Sequence, residues 1–436
     1  MYFRLPLDKI FCMQKLIFSF TFLMFISICT HAQDMDDIRQ YLSKNQFTEA
    51  KKAIDAMIQN PKQAKDAEVW YYKGVINNAC SKDKDVSGED AMKNRQEAFD
   101  AFRKCQQLDK SDKLMKLEMY ESYYDLYAGA FNLGVTEYNK KNYPLSMHSF
   151  MLTVSINDYI QQKEYTFNGV QLAKLDTSLH VNIIVTALQS DSIDIAIAYF
   201  KKLADAGIRT KDVRDVSEDL LSYGLKKGND QMFESLLGMA GKLFPEEEIW
   251  LDYELKFYEN KNDKAILHKK YEELIDKHPN NFTIVYNYAV ELYNEIHTGE
   301  QAKTNDVVMN EKFMNYIQKS IQNEGKKDVM ARLLLNRHLF NVYNDQEKSM
   351  KDIKGNKPQD LQAKNKIKQE IDKVSAQFIT NSESALSFLD GVSNKTSVQK
   401  ANQKLVIQML IEIYSDQKNT QKVSYYEKLE TALDKQ

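Results

Sequence analysis

The feature that most constrains this chain is a period. Pro245 and Pro279 stand 34 residues apart, and each closes an amphipathic stretch, Asp230 to Phe244 and Asp263 to His278, in the same register. A fixed period of this length marks stacked supersecondary units, because one such unit cannot bury its apolar face alone. The units are helical. Only 14 Gly and 6 Pro occur in 436 residues, so few positions force a helix to break. The 25 Tyr and 21 Phe show almost no period-2 alternation, which removes strands as their main setting.

The frame recurs on both sides. Gly228, Ala240 and Pro245 belong to one unit, Tyr258, Tyr271 and Pro279 to the next, and Val285, Ala289 and Leu292 open a third. Upstream, Trp70, Gly74, Ala98, Phe102 and Cys105 fall in phase around an insert at Ser81–Lys93. Leu133, Gly134, Tyr143, Ser146 and Phe150 follow, then Ala196 and Phe200; Phe47, Ala50 and Ile54 precede them all. Small residues let two helices approach, aromatics fill the space beside them, and Pro ends the second helix.

This pattern resembles the tetratricopeptide repeat (TPR), here in an exported bacterial protein. In that family small residues occupy positions 8, 20 and 27, aromatics 11, 17 and 24, and Pro 32. The resemblance implies an all-α fold, a right-handed superhelical solenoid of helix-turn-helix hairpins over residues 33–325. A divergent helical region covers 326–436, with helices expected at 328–351, 360–390, 396–417 and 419–435 and a break at Lys354–Pro358. Tyr414, Val423 and Leu429 fit one divergent hairpin there. That region is either an end cap with a polar outer face or a separate binding module.

The amino terminus reads as an export signal. Lys15 precedes the apolar run from Leu16 to Ile28, and Thr30 and Ala32 are the small residues before a cut after Ala32. Residues 1–12 read as an over-extended start, since Met13 lies just ahead of the signal. The alternatives are a lipoprotein modified at Cys29, where Ile28 is larger than such sites use, and an uncleaved anchor, for which the run is short. The expected location is the periplasm or envelope of a Gram-negative bacterium, with no membrane association after cleavage. Removing the signal leaves Cys80 and Cys105, both in one hairpin, either disulfide-bonded or free and buried.

Chemistry is hard to find. A formal charge of −3 with interleaved signs leaves no basic stripe for a phosphate backbone, so nucleic acid is not an expected partner. Charge runs such as Lys364 to Lys368 read as solvated helix faces. No Gly-x-Ser-x-Gly, Walker loop or dinucleotide turn occurs, and no catalytic residue or cofactor is expected. His268 and Glu272 share a helical face that His278 ends, but no full metal-ligand motif accompanies them, and no metal site is expected. Asp191-Ser192-Ile193 is similar to the O-glycosylation sequence of some exported Gram-negative proteins, placed in a turn.

What remains is binding. The family's concave groove, carried over by position, implies Phe131, Tyr138 and Asn139 as lining residues, with Asp252, Lys256, Glu259 and Asn260, then Tyr286, Tyr293 and Asn294. Tyrosine supplies rigid area and asparagine hydrogen bonds, which suits a protein or peptide partner. The competing reading packs these tyrosines between hairpins. Of the family's carboxylate-clamp residues only Asn287 is present. A second function in view is carbohydrate binding, as in the helical starch-binding (SusD-like) lipoproteins, although the only tryptophans, Trp70 and Trp250, hold packing positions. The partner's identity and the oligomeric state are not written in the chain.

Overall fold

The computed structural model describes residues 35–299, 302–304, 306–324 and 329–434; the expected signal and its cleavage point lie outside these. Among the described residues the chain is all-helical, with one isolated bridge, Phe167 to Val170, and no strand. None of their helices is long and apolar enough to cross a membrane. The chain divides into two compact units at Tyr253/Glu254.

The first unit holds α1 (Met35–Ser43), α2 (Phe47–Gln59), α3 (Ala67–Cys80), α4 (Gly88–Leu108), α5 (Lys113–Leu117), α6 (Glu121–Asn139), α7 (Tyr143–Lys163), α8 (Thr177–Gln189), α9 (Ile193–Asp205), α10 (Lys211–Lys227) and α11 (Asp230–Leu243). The unit boundary falls inside α12 (Ile249–Glu259). The second unit continues with α13 (Lys264–Lys277), α14 (Phe282–His297), α15 (Val307–Asn323), α16 (Met330–Asp352), α17 (Pro358–Asp390), α18 (Ser397–Asp416) and α19 (Thr420–Leu433). The change of character expected near residue 326 thus falls within the second unit.

Helices pair with their neighbours along the chain. In the first unit α3 packs on α4, α6 on α7, α8 on α9 and α10 on α11, while α1 meets α3, α4 meets α6, and α8 meets α10. In the second, α14 packs on α15, α16 on α17 and α18 on α19, while α14 meets α16 and α16 meets α18.

One turn recurs. Asn45, Lys141, Asp191, Gly228, Asn262 and Lys418 all have left-handed backbones, with φ between 52° and 65°, and each lies two residues before a helix begins. After the non-glycine residues Asn45, Lys141, Asp191 and Lys418, the next N–H donates five residues back: Gln46 to Tyr41 O, Asn142 to Glu137 O, Ser192 to Ala187 O and Asn419 to Tyr414 O, at 2.8–2.9 Å. This is the Schellman closure, which satisfies the carbonyls a helix end leaves open. At three of these turns, those of Gly228, Asn262 and Lys418, the next side chain caps the following helix. Asn229 and Asp263, one period apart, accept from Met232 N–H and Ile266 N–H at 3.0 and 3.1 Å.

The paired helices approach where the chain has glycine. A Cβ built on Gly74 would lie 2.4 Å from the Phe102 ring, and one on Gly134 would lie 2.6 Å from Phe150. These are the small and aromatic positions the periodic frame puts opposite each other. Gly224 meets Phe233 at an ordinary 3.4 Å, so the requirement there is weaker. Around these contacts the first unit buries Ala98, Phe99, Tyr123, Leu126, Ala130 and Ile156.

Two tryptophans repeat a second device. The Trp70 indole donates to Ala64 O and the Trp250 indole to Phe244 O, each at 2.9 Å and each six residues back. Both pin the incoming loop to the start of a helix. Cys80 and Cys105 are free thiols; burial pushes Cys105 up to about 12, so its reactive thiolate is suppressed.

Some expectations need correction. The insert read at Ser81–Lys93 ends early, because Ser87 Oγ accepts from Asp90 N–H at 3.1 Å and starts α4 at Gly88. Tyr414 lies on α18 and Val423 and Leu429 on α19, and these two helices pack together; the residue α19 buries is Tyr426, its ring stacked on Tyr414 at 5.8 Å. The C-terminal helices and the break before Pro358 match the sequence reading to within about three residues.

Two substitutions test the hairpin. Gly74→Ala should destabilise by about 1–3 kcal/mol, since the Phe102 ring must move. Lys141→Gly should stabilise by about 1 kcal/mol by relieving the left-handed backbone. Urea melts of both variants against wild type check the opposite signs.

Candidate functional site

The residues carried over as groove-lining lie on α6, around α12 across the unit boundary, and on α14. On α6, Phe131 is half-buried, its ring 5.7 Å from Phe150, so it packs within the α6–α7 hairpin. Tyr138 is 42% exposed and meets Tyr143 edge-on; Asn139, the last residue of α6, is exposed beside it. Only Tyr138 and Asn139 of this set offer a surface.

Around α12, Asp252, Lys256, Glu259 and Asn260 are exposed. Glu259 accepts from the Tyr271 hydroxyl at 3.3 Å. Along α14 the aromatics are held rather than loose. Tyr286 stacks on Phe282 at 5.3 Å with planes 11° apart, and the Tyr293 hydroxyl accepts from Asn341 Nδ2 at 3.1 Å. Both rings stay half-buried, and Asn294 is exposed next to Tyr293. Packing and presentation are therefore combined in the same side chains.

Behind Tyr293 lies a histidine pair. His297 Nε2 and His338 Nδ1 are 2.9 Å apart, the Tyr293 ring is 4.8 Å from His297, and Phe313 covers His338 at 4.3 Å. Burial, then the neighbouring His297, holds His338 down to about 3, and burial also lowers His297 despite Asp345.

The structure also places the other residues singled out in the sequence. His268 and Glu272 do not face a common point: Glu272 takes Lys312 and Tyr288, while His268 Nε2 turns to Glu295 on α14 at 2.7 Å. His278 is exposed at the end of α13. Ser192 is half-buried in the α8–α9 turn, as placed, and its flank Asp191 is engaged by Tyr223 and Lys227. Trp70 and Trp250 are packing residues, so neither is an open aromatic platform.

The sequence reading passed over a cleft of about 420 Å³ between α3 and α6. Tyr71, Asn78, Lys82, Glu118, Glu121 and Asp125 line it. Glu118 accepts from Tyr71 and Ser122, both at 2.8 Å, and Asp125 from Asn78 at 2.6 Å and from Lys82. Buried Arg95 lies nearby, its cation disfavoured by desolvation and supported by Asp125, with Gly129 making room for the guanidinium. The i, i+4 spacing of Asn78 with Lys82 and of Glu121 with Asp125 was the available signal. It looks like any solvated helix face until the facing helix is known.

No protein-family model matches the chain, and no curated protein matches it.

The buried histidine makes a pH prediction. With its folded value depressed below an unfolded value of about 6.5, the unfolded state binds the extra proton as pH falls. Stability is then full above about 6.5 and drops by about 1.4 kcal/mol per pH unit toward the folded value near 3. Urea midpoints between pH 7 and 5 should fall in wild type and fall less steeply in His338→Gln.

Proposed function

We propose that this chain is a non-enzymatic scaffold of the cell envelope, a solenoid of tetratricopeptide-like hairpins that binds a peptide or protein partner. The observation that carries the reading is the repetition of one hairpin. The same left-handed turn stands before six helices, asparagine and aspartate caps sit one period apart, and the same indole-to-carbonyl bond appears twice. Packing within each unit between helices that lie close along the chain is the pattern of a repeat array, whose extended surface suits recognition of another chain.

Tyr286 and Tyr293 are the proposed anchors in the second unit, with Asn294 beside them; Tyr138 and Asn139 play that part in the first. Rings already fixed by Phe282 and Asn341 lose little freedom on binding, so their area converts to affinity efficiently. Carbohydrate recognition finds less support, because both indoles are committed to packing.

The test is retention of a partner from an envelope extract by the wild-type chain and by a Tyr286→Ala, Tyr293→Ala variant. A specific partner should be retained by wild type and reduced about tenfold or more by the variant, the scale of two lost hot-spot residues. Equal retention by both chains, with the variant's helicity intact, would sink the assignment of this face.

A further inference from the structure

We propose that His268, Glu291 and Glu295 form a divalent-metal site in the second unit, with zinc as the ion that fits best. Their ligand atoms lie within 4.8 Å of one another. Two rigid elements supply them. Glu291 and Glu295 are four residues apart on one face of α14, and His268 reaches across from α13, its Nε2 2.7 Å from Glu295 Oε1.

One imidazole and two carboxylates are a donor set that zinc accepts, leaving a fourth position for water. Zinc bonds of about 2.0–2.2 Å need the three atoms about 3.3 Å apart, so the His268–Glu295 pair opens from 2.7 Å and any wider pair closes, each by a small side-chain rotation. The Tyr288 ring stands edge-on to the imidazole at 5.4 Å and limits its swing.

The surroundings separate the ligands from their counterions. The three ligand side chains are only 11–18% exposed, whereas the lysines on the two carboxylates, Lys264 and Lys303, are 56% and 47% exposed. Lys264 is the first residue of α13 and Lys303 belongs to the loop before α15; both can turn to water without disturbing the core. Two ammonium groups balance two carboxylates here, and one divalent ion replaces them charge for charge. His268 coordinates through Nε2, the atom that now meets Glu295. The proton held there leaves to water or resides on Nδ1, so neither carboxylate needs to be protonated.

This geometry also explains why no such site was legible from spacing along the chain. His268 and Glu272 share a helix, but the true neighbours of His268 lie one helix further on.

The test is a titration of the tag-free, chelator-stripped full chain with Zn²⁺, followed by calorimetry and thermal melting. One equivalent should bind and raise the melting temperature. His268→Ala and Glu295→Gln should each weaken binding tenfold or more, while His278→Ala, exposed at the end of the same helix, should leave it unchanged. A Lys264→Ala, Lys303→Ala variant should bind more tightly, because two competing cations are gone. Circular dichroism of each metal-free variant confirms that the helices persist. Absence of binding by wild type overturns the proposal, as does binding that survives His268→Ala and Glu295→Gln. A lysine variant that binds no tighter overturns the placeholder role of the two ammonium groups.

Discussion

The close approach of two helices at a glycine is the constraint from which much of the first unit follows. At Gly74 and Gly134 the facing phenylalanine ring lies 2.4 and 2.6 Å from where a β-carbon would be, so the helices come nearer than a side chain there would permit. Dispersion forces depend steeply on distance, so this proximity multiplies the contacts each ring makes. A contact that tight cannot tolerate slippage in register. In the hairpin of Gly134 and Phe150 the left-handed turn at Lys141 supplies the register, because it fixes where α7 begins relative to the end of α6. Lys141 accepts an unfavourable backbone to do so, which indicates that the turn is set by the packing it serves and not by local preference.

With hairpins closed in this way, the polar residues divide naturally. Those on a helix that faces a neighbouring hairpin become half-buried and find partners, as Tyr293 does with Asn341 and Tyr343 with Asp416. Those pointing away stay in water. The proposed anchors are drawn from the border between the two classes, where a ring is held on one side and partly exposed on the other. Tyr286 is such a residue, half-buried and stacked on Phe282 one turn earlier on its own helix.

The periodic features were legible because they are local. Pro245 and Pro279 end helices by steric exclusion, and glycine opposite phenylalanine can be read once the phase is known. Even the C-terminal helices, where the phase fades, are marked by Gly355 and Pro358 and by apolar spacing. Lysine at a left-handed position carries no signature, so the turns at Lys141 and Lys418 were invisible. The side-chain clusters were hidden for a different reason. His268 could as well have pointed at Glu272 one turn away as at Glu295 on the next helix, and only the rotation of α13 against α14 decides between them. The start of α4 depended on a single serine cap within a run that composition alone reads as loop.

The two indoles have one more consequence, which concerns observation. Trp70 and Trp250 are the only tryptophans in the chain, and both precede the boundary at Tyr253. Their emission reports the environment of loops held against Ala64 and Phe244, and no indole lies in the second unit at all. The chain thus carries a built-in optical asymmetry. Indole fluorescence follows the first unit alone, far-ultraviolet circular dichroism follows both, and any offset between the two signals measures how independently the halves come apart.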